Sequence, residues 1–210
     1  PLSHGYMEVT IVGDLDPEQV LTLASKTLGT LPEREKTKPA YVQERIVRFP
    51  KPQVQNYSFA AEAARAMIVV AWPTADARNY ARSIQLGMLS EILSDRLRVK
   101  IREELGAAYT PVAYSHESSA LTDYGLISAE MLVEPSQAAE LSQLVTEIAA
   151  QLGQETINDD EFNRVLKVKQ SNMEQAVRGN GYWMSVLCHC QCQPQLLDDA
   201  RQLAEIYRKT

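Results

Sequence analysis

The chain has 210 residues, with Lys and Arg totalling 21 and Asp and Glu 27, a formal net charge of −6. Hydrophobic residues make up 45% and charged residues 23%, the balance of one ordinary globular domain or two small ones. This charge argues against nucleic-acid binding through a general basic field, and no run is long and apolar enough to predict a membrane span.

The opening "PLSHGYMEV" has neither an initiator Met nor the basic-then-apolar layout of a signal peptide, so a mature or excised piece of a longer protein is expected. Glu8 to Val12 alternates and is β-branched, which predicts a strand broken by Gly13. Asp16 then stands at an N-cap position, with Pro17 at the first helical position and Gln19 three residues after the cap. Val20, Leu21, Leu23, Ala24, Thr27 and Leu28 keep helical spacing up to Gly29. Residues 30–53 carry Pro32, Pro39, Pro50 and Pro52 among many charges, a linker-like segment interrupted by a candidate strand at Arg45–Phe49. Another strand is expected over Val54–Phe59. The apolar run in "RAMIVVAWP", Arg65 to Pro73, predicts a strand buried on both faces.

Asn79 to Leu105 is the longest periodic segment. Leu93, Leu97, Ile101 and Leu105 recur every four residues, and Ile84, Met88, Leu89 and Ile92 extend the stripe upstream. As one helix it spans roughly 40 Å at 1.5 Å per residue, with Gly106 as its C-terminal cap. "AYTPVAYSHES" and "DYGLISAEMLVE" predict two strands joined by a loop around Ser118–Asp123, and Pro111 favours an edge position or a bulge for the first. Pro135 opens a helix that Gly153 closes. In "NDDEF", Asn158 and Glu161 form a capping box for the next helix. Two shorter helices around Trp183–Cys192 and Leu197–Tyr207 complete the chain. Strands and helices in separate blocks predict an α+β fold, a mainly antiparallel sheet with helices packed on one face.

Few patterns carry chemistry. "CHCQC", Cys188 to Cys192, puts three thiols and an imidazole in five residues, which raises the alternative of an independent metal protein. On a helix, however, Cys188 and Cys192 share a face while Cys190 points away, and His189 is turned by about 100°. Zinc sites take ligand pairs from two segments, and no second pair exists here. Small thiols packing a helix is the preferred reading. The sequence has no HxxEH, HExxH, GxSxG, P-loop or GxGxxG, and "VGDLD" has one glycine where a nucleotide turn needs three. "IREELGAAY" remains, with Arg102 at a helix end and Tyr109 at the start of a strand. By residue type alone they suit a solvated and a half-buried position. Both side chains also donate hydrogen bonds that suit a carbonyl or an oxyanion.

The ordered set "MEVTIVGDLDPEQVLTLASKTLGTLP", "LSEILSDRLRVKIREELGAAYTPVAYS", "DYGLISAEMLVEP" and "NDDEFNRVLKVKQSNMEQ" resembles the pitrilysin/insulinase (M16) family of zinc metallopeptidases across nearly the whole chain. The resemblance implies a mitochondrial-processing-peptidase-like metallohydrolase fold for residues 1–210 as a single C-terminal-type domain, with 30–53 a linker-like segment within it. In that family one domain carries an HxxEH zinc motif and a downstream Glu ligand, and homologous domains close around an unfolded peptide. This sequence resembles the partner domain without the metal. The resemblance therefore implies no cofactor in this chain, zinc on a partner domain, and as partners an HxxEH-bearing domain or subunit and a peptide substrate. Arg102 and Tyr109 match the Arg and Tyr that hold the substrate carbonyl and stabilise the tetrahedral intermediate; Arg98, one turn upstream, is the alternative Arg. The competing expectation is a degenerate M16-like domain used only for assembly or peptide binding. The compartment stays open between bacterial periplasm and cytoplasm.

Overall fold

The computed structural model describes residues 3–49, 51, 53–55, 64–107, 110–188, 190–191 and 194–209, with backbone alone over 203–209. It forms two compact units, residues 42–167 and residues 1–41 with 168–210.

The larger unit is built on a three-stranded antiparallel sheet of order β1-β3-β2, where β1 is Ala66–Thr74, β2 is Val112–Glu117 and β3 is Gly125–Val133. The predicted hairpin is present. Its loop is held by Ser118, whose N–H bonds the Tyr124 carbonyl at 2.9 Å and whose hydroxyl accepts from the Ala120 and Leu121 amides. As Pro111 foretells, β2 lies at an edge. Ile127, Ala129, Met131 and Val133 of β3 are buried, with Leu126, Glu130 and Leu132 less covered between them and Ser128 buried as well. Two helices, α2 (Tyr80–Leu97) and α3 (Ala138–Gln154), pack against this sheet. They contribute Met88, Ile92, Leu93 and Leu97, and Leu141, Val145, Ile148 and Leu152, to the core. The α+β architecture with a small antiparallel sheet is as expected.

The apolar run before Pro73 is not buried on both faces. Among the described residues β1 is the other edge strand, with Ile68 buried while Met67 and Val69 are 59% and 56% exposed. A continuous apolar run identifies a strand but cannot say whether a second layer covers it. At the far end of the sheet, Thr74, Gly125 and Glu117 form one rung across the three strands. A Cβ on Gly125 would lie 2.2 Å from the Ala75 carbonyl oxygen and 2.6 Å from the Thr74 hydroxyl, so only glycine fits. Arg45–Phe49 supplies only an isolated bridge, Ile46 to Thr122, although Phe49 stacks on Tyr124 at 4.8 Å. The strand expected over Val54–Phe59 falls largely outside the described residues.

The N-terminal turn of α4 (Asp159–Ala176) has the capping box read from the sequence. The Glu161 N–H donates to Asn158 Oδ1 at 2.9 Å, and Asn158 Nδ2 donates to Glu161 Oε2 at 3.0 Å. Glu161 also receives Arg96 of α2 bidentately, through Nε at 2.8 Å and Nη2 at 3.0 Å, while Arg96 Nη1 reaches Glu155 at 3.3 Å. The Arg96 and Glu161 side chains are only 20% and 15% exposed, so this pair is little screened.

In the smaller unit, α1 (Pro17–Thr27) has the predicted cap, with Asp16 accepting from the Glu18 N–H at 3.0 Å. The strand expected at Glu8–Val12 is absent: those residues join no ladder among the described residues, and Val9 and Ile11 are about half exposed. Strand propensity gives a segment its extended shape, but a ladder needs a partner that the local sequence does not name. α5 (Asn180–Leu187) ends sooner than the sequence suggests, and α6 (Gln195–Lys209) follows. Trp183 Nε1 donates to the Val177 carbonyl at 2.8 Å.

Two outcomes follow from this packing. The Arg96 bond holds the Glu161 carboxyl below its ordinary value of 4.5. Its stabilisation is therefore fully present above that value and is lost as pH falls through the depressed one. Glu161→Gln should lower stability by about 1–3 kcal/mol at neutral pH, and the gap to wild type should close toward about pH 3. Urea unfolding at both pH values measures it, and a gap that ignores pH contradicts the assigned cause. Gly125→Ala should cost about 1–3 kcal/mol or more through overpacking, read as a lower midpoint in the same titration.

Candidate functional site

The site grows out of the end of the long helical segment. α2 is capped at its start by Asn79, whose Oδ1 accepts from the Arg82 N–H at 3.0 Å. After Leu97 the helix widens into a π-helix over Arg98–Glu104 rather than running as one α-helix to Leu105. Such segments are rare overall and are frequent at functional sites. Here the winding also ends the apolar stripe early. Leu97 and Ile101 are fully buried, but Leu105 is 52% exposed, because the extra residue in the turn rotates it off the face that four-residue spacing assigned to it.

Gly106 then turns the chain with φ +62°, and no atom lies within 4 Å of where its Cβ would be. The Ala107 N–H closes back on the Ile101 carbonyl at 3.0 Å. That closure reaches six residues back, one further than the Schellman motif, as the π-turn requires. The glycine cap predicted at this position is thus present for a conformational reason.

Arg102 projects from the π-turn to the rim of a cavity of about 760 Å³. Gly106, Ala107, Leu132, Val133, Glu134, Gln137 and Arg65 complete its lining. The volume lies within the range of small-ligand clefts, about 300–1,000 Å³. Arg65 Nη1 donates to Glu134 Oε1 at 2.6 Å across its wall. Arg98, the alternative arginine, does not line this cavity; it bonds Glu103 and, at 3.4 Å, Asp95. Tyr109 falls outside the described residues, so the structure gives no distance for the Arg102–Tyr109 pair.

Arg65, Glu134 and Gln137 were not singled out by the sequence. The signal for the first two was positional: Arg65 immediately precedes the apolar run of β1, and Glu134 immediately follows β3.

The thiol segment does not form a metal centre among the described residues, which hold no group of three His, Cys, Asp or Glu placed to bind an ion. Cys188 donates to the Ser185 carbonyl at 3.3 Å and Cys190 to the Val186 carbonyl at 2.9 Å. Of the two described cysteines Cys190 is buried and Cys188 half-buried; α5 stops at Leu187, before the helical angles between these thiols apply. Burial pushes the Cys190 thiol pKa up, and the neighbouring Cys188 adds to the effect. His189 and Cys192 lie outside the described residues.

Residues 2–169 match the family described as "Peptidase M16 inactive domain". The chain belongs to the M16 peptidase family. Among curated proteins it is similar to the chloroplastic stromal processing peptidase of Oryza sativa subsp. indica, 23% identical over 229 aligned positions covering 88% of this chain and 18% of that protein. It thus spans about a fifth of that M16 relative's length. Among solved structures it resembles a conserved protein from Enterococcus faecalis V583, at TM-score 0.70 and 16% identity over 94% of this chain and 45% of that one. It also resembles the periplasmic protease PqqL from Escherichia coli, at TM-score 0.66 and 17% identity over 94% and 22% respectively. At these identities the structural likeness shows the fold, and the fold is that of M16 domains. The family's description as an inactive domain stands beside a sequence without HxxEH. No helix among the described residues is long and apolar enough to cross a membrane.

Gly106 is the hinge of this arrangement, and it is open to a direct test. Gly106→Ala places a side chain in the left-handed region and should cost roughly 1–2 kcal/mol. Gly106→Asn, whose side chain tolerates that region, should cost less. Thermal unfolding of the two variants checks the order, and equal costs would mean that the positive φ is not what selects glycine here.

Proposed function

We propose that this chain is the metal-free partner domain of an M16 zinc endopeptidase, binding the peptide and stabilising the tetrahedral intermediate through Arg102 and Tyr109. Arg102 on the rim of the 760 Å³ cavity is the observation that carries the reading. A guanidinium lining a concavity can hold a peptide carbonyl and stabilise the charge that develops on its oxygen. Tyr109 follows Gly106 by three residues and enters as the second donor. The chain cannot hydrolyse a peptide alone. An HxxEH-bearing domain or subunit supplies the zinc and the general base, and closure against it completes the chamber. This chain's own work is to bind, orient and donate.

Reconstitution with the HxxEH-bearing half of the parent protein should yield peptidase activity that neither half shows alone. In that mixture Tyr109→Phe should lower kcat by about 10²-fold, the scale of one lost oxyanion donor. Arg102→Gln should lower kcat/KM at least as much, since it removes both a binding and a stabilising group. Full activity in Tyr109→Phe would remove that residue from the site. Peptide binding without any activity in the mixture would identify the chain as a degenerate binding domain.

A further inference from the structure

The cavity beside Arg102 is not a generic concavity, because its charged side chains are placed by the sheet itself. The first rung of the β1–β3 ladder pairs Ala66 with Val133. Arg65 and Glu134 are the residues just outside that rung, so the register sets them opposite each other as its continuation. Val133 is buried to 1% exposure, which fixes the backbone from which Glu134 departs. The two side chains meet at 2.6 Å, yet they are 63% and 56% exposed. An exposed pair of this kind contributes about 0–1 kcal/mol, so it exchanges partners at little cost. Arg65 meets Glu134 through Nη1, whereas a guanidinium carries five N–H donors in a planar fork.

The charge inside the cavity runs against the charge of the chain. Among the described residues Arg65 and Arg102 line it with Glu134 as the one acidic group, so that part of the lining is net positive in a protein of net charge −6. Next to this group, Leu132 lines the same cavity at 58% exposure. A ligand suited to these surroundings carries a carboxylate within reach of the Arg65 fork and an apolar side chain for Leu132.

We propose that Arg65, oriented by Glu134, is a specificity-determining residue that takes an acidic side chain of the bound peptide. This rests on the peptide-binding reading of the same site and deepens it: the preferred substrates are extended segments with Glu or Asp next to an apolar residue. Arg65 receives the side chain while Arg102 is left to the backbone. Glu134 is a positioning residue, holding one edge of the guanidinium so that the other edge meets the incoming carboxylate.

The test uses the whole 210-residue chain and two fluorescein-labelled pentapeptides, Ala-Leu-Glu-Leu-Ala and Ala-Leu-Gln-Leu-Ala, followed by fluorescence anisotropy. The Glu peptide should bind roughly three- to fivefold more tightly, on the scale of one charge-assisted contact at an exposed site. The preference should shrink as salt is raised. Arg65→Gln should abolish the preference, and Arg65→Lys should keep part of it. An unchanged far-ultraviolet circular dichroism spectrum and unfolding midpoint establish that each variant is folded. Equal affinity of the wild-type chain for both peptides overturns the acidic subsite and leaves the peptide-binding reading standing. Binding of neither overturns both, and a preference that survives Arg65→Gln assigns it to another residue.

Discussion

Three side chains with almost no exposed surface, Leu97, Ile101 and Val133, set the position of everything at the candidate site. Burial of one such aliphatic side chain is worth about 1.5–3 kcal/mol, enough to fix the backbone on either side of it. Arg102 is the residue after Ile101, and Glu134 is the residue after Val133. Arg65 is tied to the same framework because its neighbour Ala66 pairs with Val133. The charged groups Arg65, Arg102 and Glu134 are thus each one residue from a framework position. Their precision comes from apolar packing rather than from the weak, exposed ion pair between Arg65 and Glu134.

The π-turn is the local departure that makes this possible. An uninterrupted α-helix would keep Leu105 on the stripe of Leu97 and Ile101 and carry the helix on against the sheet. Widening the last turn releases Leu105 to solvent and lets the chain reverse at Gly106. A longer-range carbonyl closure, Ala107 to Ile101, satisfies the end of the helix. The cost in hydrogen-bond regularity sits beside the one residue, Arg102, on which the functional reading depends. One residue before Leu97 on α2, the Arg96–Glu161 pair joins the helix to the first turn of α4. The C-terminal end of α2 and its extension are therefore held by two kinds of physics: apolar burial and a charged fork toward α4.

Elements whose cause lies within a few residues were legible in the sequence. The Asn158–Glu161 capping box, the Asp16 cap, the glycine after the long helix and the loop around Ser118–Asp123 all appear as read, because each depends on local hydrogen bonds or on a local φ. Readings that depended on a distant partner fared differently. Glu8–Val12 has the composition of a strand without a ladder. The run before Pro73 became an edge strand with one open face. The helix expected around Trp183–Cys192 stops at Leu187, so the helical angle that set Cys190 apart from Cys188 does not apply. Arg65 and Glu134 carried no motif at all, since the ladder register that brings them together joins residues 69 positions apart.

The sequence by itself determined the family, the α+β class and the presence of an arginine after the last buried turn of a long helix. These follow from motif order, apolar periodicity and glycine chemistry, all properties of neighbouring residues. Only the tertiary structure decided that the helix ends in a π-turn, that Arg102 and not Arg98 reaches a cavity, and that Arg65 and Glu134 share that cavity. Those outcomes follow from strand register and from which face each helix buries, and both are set by contacts between segments far apart in the chain.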